Sequence, residues 1–323
     1  MVPRGPLAPI VIAGLIMIIW GATPVATRLA VADLDPLFVG LLRTVFAGAL
    51  ALPIALGLRQ NLPKDRRGWL LLAVSGASGF IVFPLLYSFG QRDTSAMHGG
   101  MILAALPIFT GTYAALVERR RPTARWIVGC VIALVGEGAL IAFRAGSGGA
   151  EPTLFGDLLV LLSALLVAAG YVAGARLSQA GYSSLATTLW GVAFSAIVST
   201  IITAIVVAGD GWPAAGWISW AAVLYLASIT TILGYIGWYW ALAKGGIARI
   251  ATVQFFQPVS GLVLAAAAAG RVHDPATAGG LHRHSRRRLD RAASLSAVPQ
   301  ARKTASPKGL PSMESSRKSS LAN

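Results

Sequence analysis

Two charged residues, Arg43 and Glu137, stand inside long apolar runs of this 323-residue chain. A guanidinium and a carboxylate in such surroundings can pair, bind a zwitterionic solute or carry a proton. A charge at membrane depth costs about 2.5–3.5 kcal/mol or more, so it usually pairs or lines a cavity. Trp20, Thr23 and Pro24 form a second group. In the other half Tyr171, Trp190, Tyr235, Trp238, Tyr239, Gln254 and Gln257 offer aromatic faces with two amides. That lining suits a medium-sized organic solute, partly apolar or cationic. Each aromatic taken alone is equally a packing or interfacial residue. Catalytic chemistry is poorly supplied. The apolar runs hold no His/Glu pair at metal spacing, the Ser and Thr residues have no base beside them, and no phosphate loop occurs. Neither an enzyme nor a single-chain ATP-driven pump is expected, and no cofactor or metal.

The elements that must position these residues are membrane helices. The chain is 55% hydrophobic and 12% charged, with mean hydropathy +0.68, whereas soluble domains carry about 25% charged residues. Nine helices are expected near 8–28, 37–58, 68–90, 95–117, 125–143, 157–178, 185–208, 217–242 and 247–269. Each is long enough for a ~30 Å hydrocarbon layer. Barrel strands would be half that length and would alternate. The first run lacks a small-residue cleavage pattern after Trp20-Gly-Ala-Thr-Pro24 and reads as an uncleaved helix. The single cysteine, Cys130, excludes an intramolecular disulfide.

The net charge of +15 is not a nucleic-acid signal, because it divides unevenly: 11 of the 27 Lys and Arg residues follow Gly270. The joints between helices alternate. Arg59–Arg67, Glu118–Arg121 and Lys244–Arg249 are basic, while the others carry Asp33 and Asp35, Asp93, Glu151 with Asp157, and Asp210. Positive-inside bias places the N-terminus in the cytoplasm of a cell whose inner membrane the chain crosses. Arg43 and Glu137 then both lie about six residues, or ~9 Å, below the outer boundary. At matching depth they form a structural ion pair, an external gate, a zwitterion site or, through Glu137, a proton-coupling site. Pro24, Pro107 and Pro258 fall within spans one, four and nine. There they free backbone carbonyls and provide kinks, either for packing or as hinges. Gly170-x-x-x-Gly174 allows close helix approach.

The sequence weakly repeats itself across the Gly-rich joint Arg144–Asp157. Ala26-Thr-Arg28-Leu29 ends span one and Gly174-Ala-Arg176-Leu177 ends span six; Leu106-Pro107 and Gln257-Pro258 occupy spans four and nine. Five spans are an odd number, so the second copy is inserted upside down, the inverted-repeat plan of secondary carriers. The fold class is an all-α polytopic membrane protein, an inverted repeat of five-helix units with 5+4 helices discernible. The first unit is 1–148, the second 149–270, and a basic tail covers 271–323.

Several residues in order resemble the drug/metabolite transporter superfamily, in its EamA-type branch. They are Trp20-Gly21 with Pro24, Asp35-Pro36 with Arg43, Pro107 with Glu118, Gly156-Asp157, Tyr235-x-x-Trp238-Tyr239-x-Ala241, and Gln257-Pro258. The resemblance covers residues 8–270. It implies ten helices and export or exchange of small metabolites or amphipathic drugs by alternating access, with the lipid bilayer and a small solute as partners and room for a homodimer. Arg43 matches the family pattern; Glu137 does not. The pattern also calls for Gly-Glu and a tenth helix where this chain has Gly270-Arg271. A reading frame shifted by one nucleotide would restore Glu, a Pro four residues on, and an apolar run over 282–290. A frameshift or sequence error is therefore expected over a natural tail, and His282 and His284 in an Arg-rich run make a weak metal-ligand set. The alternative to transport is a non-transporting interaction protein, or a defective carrier, whose basic tail contacts anionic lipid.

Overall fold

The computed structural model describes residues 7–119, 121, 124, 126–132, 135, 153–261, 263 and 264. Among them, seven helical spans are long and apolar enough to cross a membrane: Ala8–Ala30, Pro36–Gly57, Arg66–Arg92, His98–Glu118, Leu154–Gln179, Ser184–Asp210 and Trp217–Gly245. The shortest has 21 residues, about 31 Å at 1.5 Å per residue. They are the expected spans one to four and six to eight, and keep those numbers below. Of the expected fifth span, 125–143, residues 126–132 and 135 are helical, as is residue 124 just before it. The ninth begins as helix Ile247–Ala251, tightens into a 3-10 segment Thr252–Phe255 and resumes as helix over 256–261. Glu137, the Gly-rich joint before Thr153, the residues after 264 and hence the questions of a tenth helix and a frameshift lie outside the described residues.

Short polar residues start these helices at the water boundary. Asp35 Oδ1 accepts from Leu37 N at 2.8 Å, with Pro36 in the first helical position. Thr153 Oγ1 accepts from Gly156 N at 3.0 Å, and Ser183 Oγ from Ala186 N at 2.9 Å. Each satisfies a backbone donor that the first helical turn leaves orphaned. The end of span one caps two neighbours. Arg28 Nη1 donates to Gln91 O and Arg92 O, at the carbonyl end of span three, at 2.7 and 2.6 Å. Asp33 Oδ2 accepts from Gly216 N and Ser219 Oγ, where span eight begins, at 3.3 and 3.0 Å. Both charges match the helix dipole they face.

The pairing of spans exchanges with the two repeats. Span one packs on span eight, as span six packs on span three. Span one meets the ninth segment, as span six meets span four, and span two packs on span seven. These contacts exchange when the repeats are swapped, as a two-fold relation between inverted units requires. Local irregularities repeat too. Span three carries a π-helical stretch Ala77–Val82, and span eight a matching one, Leu226–Leu233. Span four has a 3-10 stretch Leu103–Ala105 just before Pro107, and the ninth segment has its own just before Pro258. Span one breaks at Ala22, two residues before Pro24. Close approach needs missing side chains: a Cβ on Gly48 of span two would overlap Ala196 of span seven.

Candidate functional site

The two π-helical stretches build the centre of the molecule. Widening a helix to i→i+5 bonding leaves carbonyls and side chains in positions an α-helix would not offer, tolerated at membrane depth only where protein or a cavity satisfies them. In span eight, Thr230 O accepts the Trp20 indole Nε1–H at 2.9 Å. Both Thr230 and Thr231 hydroxyls donate back to Leu226 O, at 2.7 and 2.8 Å. Their remaining lone pairs take the guanidinium of Arg43, from Nη2 at 3.2 Å and from Nε at 2.9 Å respectively. In span three, Gly79 O accepts from Tyr235 OH at 3.2 Å, and Phe80 O accepts from Thr44 Oγ1. Each irregular stretch is thus stitched to the opposite repeat.

Around Arg43 stands an aromatic box. The Trp20 and Tyr171 rings stack at 5.4 Å with 15° between planes, and Tyr235 meets Trp20 edge-on at 5.3 Å. Trp238 packs behind both, 5.6 Å from Trp20 and 5.8 Å from Tyr171. Phe83 lies under the guanidinium, 5.6 Å from its carbon to the ring centroid, a cation–π distance. Arg43 is 3% exposed, and no carboxylate among the described residues lies within ion-pair distance of it.

Six of the residues expected from sequence line one small central cavity: Trp20, Thr23, Arg43, Tyr171, Tyr235 and Gln257, joined by Phe83, Leu103 and Leu106. Its volume is about 10 Å³, room for about one water. Trp238 forms the box's back wall. Tyr239 sits one turn beyond Tyr235, its hydroxyl 2.7 Å from Ser75 Oγ. Gln254 is buried with neither amide atom bonded among the described residues, and Gln257 Oε1 and Trp238 Nε1 are in the same condition. Such orphaned polar atoms cost about 1–3 kcal/mol each unless a solute or water meets them. Pro24 and Pro258 do not face this cavity. They line a separate apolar pocket of about 180 Å³ with Gly21, Gly100 and Met101, and Gln257 is the residue common to both. Pro107 is buried in span four. Trp190 lies apart, bonded to Gln60 O at 3.0 Å.

Sequence reading missed Phe83, Thr230 and Thr231, although two adjacent threonines inside an apolar span are a visible polar signal. It also missed a second buried cluster. Asp157 Oδ1 accepts from Thr94 Oγ1 at 2.8 Å and lies 2.9 Å from His98 Nδ1, joining span four to span six. The family resemblance includes Gly156-Asp157 as a motif and gives it no role.

The chain matches the EamA-like transporter family over residues 7–141 and 154–281. It is 33% identical over 254 residues, 77% of this chain and 84% of the other, to the "Uncharacterized transporter YdeK" of Bacillus subtilis (strain 168). It is 25% identical over 265 residues, 80% of this chain and 86% of the other, to a "Probable amino-acid metabolite efflux pump" of Salmonella typhimurium. Over 233 residues, 72% of this chain and 75% of the other, it is 25% identical to a "Probable terminal-alkyne amino-acid exporter" of Streptantibioticus cattleyicolor. A solved crystal structure that is 18% identical superposes with TM-score 0.61, covering 84% of this chain and 93% of that one, and shares the fold.

Proposed function

We propose that this chain, which belongs to the EamA-like transporter family and is a multi-pass membrane transporter rather than an enzyme, is a secondary carrier that exports or exchanges amino acids or related amphipathic metabolites by alternating access. The observation that carries the reading is the buried Arg43 guanidinium in an aromatic box between the two repeats, with no carboxylate partner among the described residues. A carboxylate on the solute supplies the missing charge, bonded in the forked geometry that arginine favours. An apolar or aromatic side chain rests on Trp20 and Tyr171, and the solute's amino group meets the amide oxygen of Gln257. Two relatives named for amino-acid export support the substrate class and the outward direction.

A cavity of about 10 Å³ does not hold an amino acid, so this is a closed conformation, and transport needs the spans around it to part. Pro24, Pro107 and Pro258 follow breaks or 3-10 stretches in spans one, four and nine, and we assign them the hinge roles. Positive-inside bias supports a cytoplasmic N-terminus and residence in the inner membrane. The test is counterflow of radiolabelled amino acids and organic cations into proteoliposomes. Exchange of at least one carboxylate-bearing amphiphile is expected. A panel of amino acids and cations that shows no exchange above empty liposomes would overturn the reading.

A further inference from the structure

At the end of the molecule that carries the basic joints, a polar pocket and an apolar groove lie next to one another, and neither shares a residue with the central cavity. The pocket, about 460 Å³, lies between the turn after span two and the turn before span seven, lined by Arg59, Asn61, Lys64, Tyr182 and Ser183. Three cross-bonds hold its walls. Lys64 N donates to Tyr182 OH at 2.7 Å, Ser183 Oγ to Gln60 Oε1 at 3.0 Å, and Trp190 Nε1 to Gln60 O at 3.0 Å. Neither Arg59 nor Lys64 has a carboxylate within ion-pair distance among the described residues. Asp65 is outnumbered at this joint by Arg59, Lys64, Arg66 and Arg67.

The groove, about 240 Å³, runs between spans three and seven along Leu72, Ala73, Ala77, Gly191 and Phe194. From Ala186 at the pocket to Gly191 in the groove is about 7 Å into the membrane at 1.5 Å per residue. Trp190 joins the two: its N–H bonds the pocket wall, and its ring stacks on Phe194 at 5.7 Å. Phe194 in turn meets Trp69, also at 5.7 Å. Asn61 and Tyr182 of the pocket and Leu72 of the groove also line the tight seam between the two, which has no room for a water.

We propose that this is a binding site for an anionic phospholipid, with the phosphate between Arg59 and Lys64 and one acyl chain in the groove. Basic pockets between membrane helices take anionic headgroups. The apolar slot about one to two helical turns deeper, across the face of Trp190, is what separates a lipid from a free anion. A zwitterionic lipid would bring its own ammonium against two cations.

The test uses the purified full chain in neutral detergent. Unfolding temperature and lipid retained in native mass spectrometry are followed with phosphatidylglycerol, phosphatidylcholine or inorganic phosphate added. Phosphatidylglycerol alone is expected to stabilise the protein and stay bound. R59Q/K64Q is expected to weaken that binding about 30-fold, from about fivefold per basic residue near an anionic surface. Ala73→Phe, which fills the groove from its exposed face, weakens it without touching a charge. R66Q/R67Q, whose arginines do not line the pocket, leaves binding within about twofold if the site rather than diffuse charge is read. Equal stabilisation by phosphate would mean a free-anion site; equal stabilisation by phosphatidylcholine would remove the charge requirement. An equal loss in R66Q/R67Q would reduce the pocket to general surface charge. Any of these overturns the proposal. If R59Q/K64Q does not fold, the lipid comparison on the unaltered protein and Ala73→Phe still decide.

Discussion

Replacing Arg43 by Gln separates a substrate contact from a structural one. The guanidinium spends Nε and Nη2 on the two threonines of span eight, and its charge has no carboxylate partner among the described residues. A charge-assisted bond to a solute carboxylate contributes about 1.5–3 kcal/mol, so its loss weakens binding about 10- to 150-fold. Folding should change much less. Thr230 and Thr231 keep their own bonds to Leu226 O, so the variant leaves only acceptor lone pairs unmet, while burial of a cation in the membrane is relieved. The unfolding transition in detergent is expected to move by no more than about 1 kcal/mol. Counterflow is measured for a transported amino acid and for its amide, in which the carboxylate is gone. The free acid should lose the full factor in Arg43→Gln, while the amide is handled alike by both proteins. Equal loss for acid and amide would refute the reasoning, since Arg43 would then be acting through the packing of the box. An acid transported as well as before would refute it from the other side.

Three other outcomes follow from the packing. Trp20→Phe keeps the stacked face but strands Thr230 O, and is expected to cost about 1–2 kcal/mol in thermal unfolding. Asp157→Leu removes the acceptor shared by Thr94 and His98 and should destabilise by about 1–3 kcal/mol, with Asp157→Asn milder because it retains the Oδ1 acceptor; an unchanged melting curve for the Leu variant would show that the cluster does not tie spans four and six. Gly48→Leu, forced against Ala196, should cost about 1–3 kcal/mol by overpacking. Gly57→Leu on the same helix, with open space around it, should be neutral in the same melt.

The spans were legible because their signals are local. Expected span two, 37–58, is Pro36–Gly57, and expected span seven, 185–208, is Ser184–Asp210. An apolar run fixes the length, and Asp35 or Ser183 fixes the start. Six of the nine residues expected to bind solute share the central cavity, because aromatics and amides in mid-span are conspicuous. Arg43 shows where such reading stops. Counting residues from the boundary gives a side chain's depth and leaves its angle about the helix open. Depth set Arg43 level with Glu137, which lies outside the described residues, and gave no hint of Thr230 and Thr231, 187 and 188 positions away. Nor do the π-helical stretches have a composition of their own. They are a slip in hydrogen-bond register, maintained by partners such as Tyr235 and Trp20 from the other repeat.

That dependence bears on how the closed centre can open. A regular membrane helix satisfies its own backbone and gains nothing from a neighbour's side chain, so it can slide or tilt with little penalty in hydrogen bonds. The stretches Ala77–Val82 and Leu226–Leu233 instead hand carbonyls to other spans: Gly79 O to Tyr235 and Thr230 O to Trp20 across the two repeats, and Phe80 O to Thr44 on span two of the same repeat. Separating Trp20 from span eight exposes Thr230 O and the indole N–H together, a cost of about 1–3 kcal/mol for each group left buried and unbonded. A solute that enters the gap with its own donors and a carboxylate for Arg43 offsets that cost, and an apolar solute of the same size does not. On the proposed function, the same bonds that close the empty centre would therefore discriminate between cargoes. On that reading, amphipathic solutes carrying both an acid and a donor are the ones expected to part the box while leaving few of its polar atoms unmet.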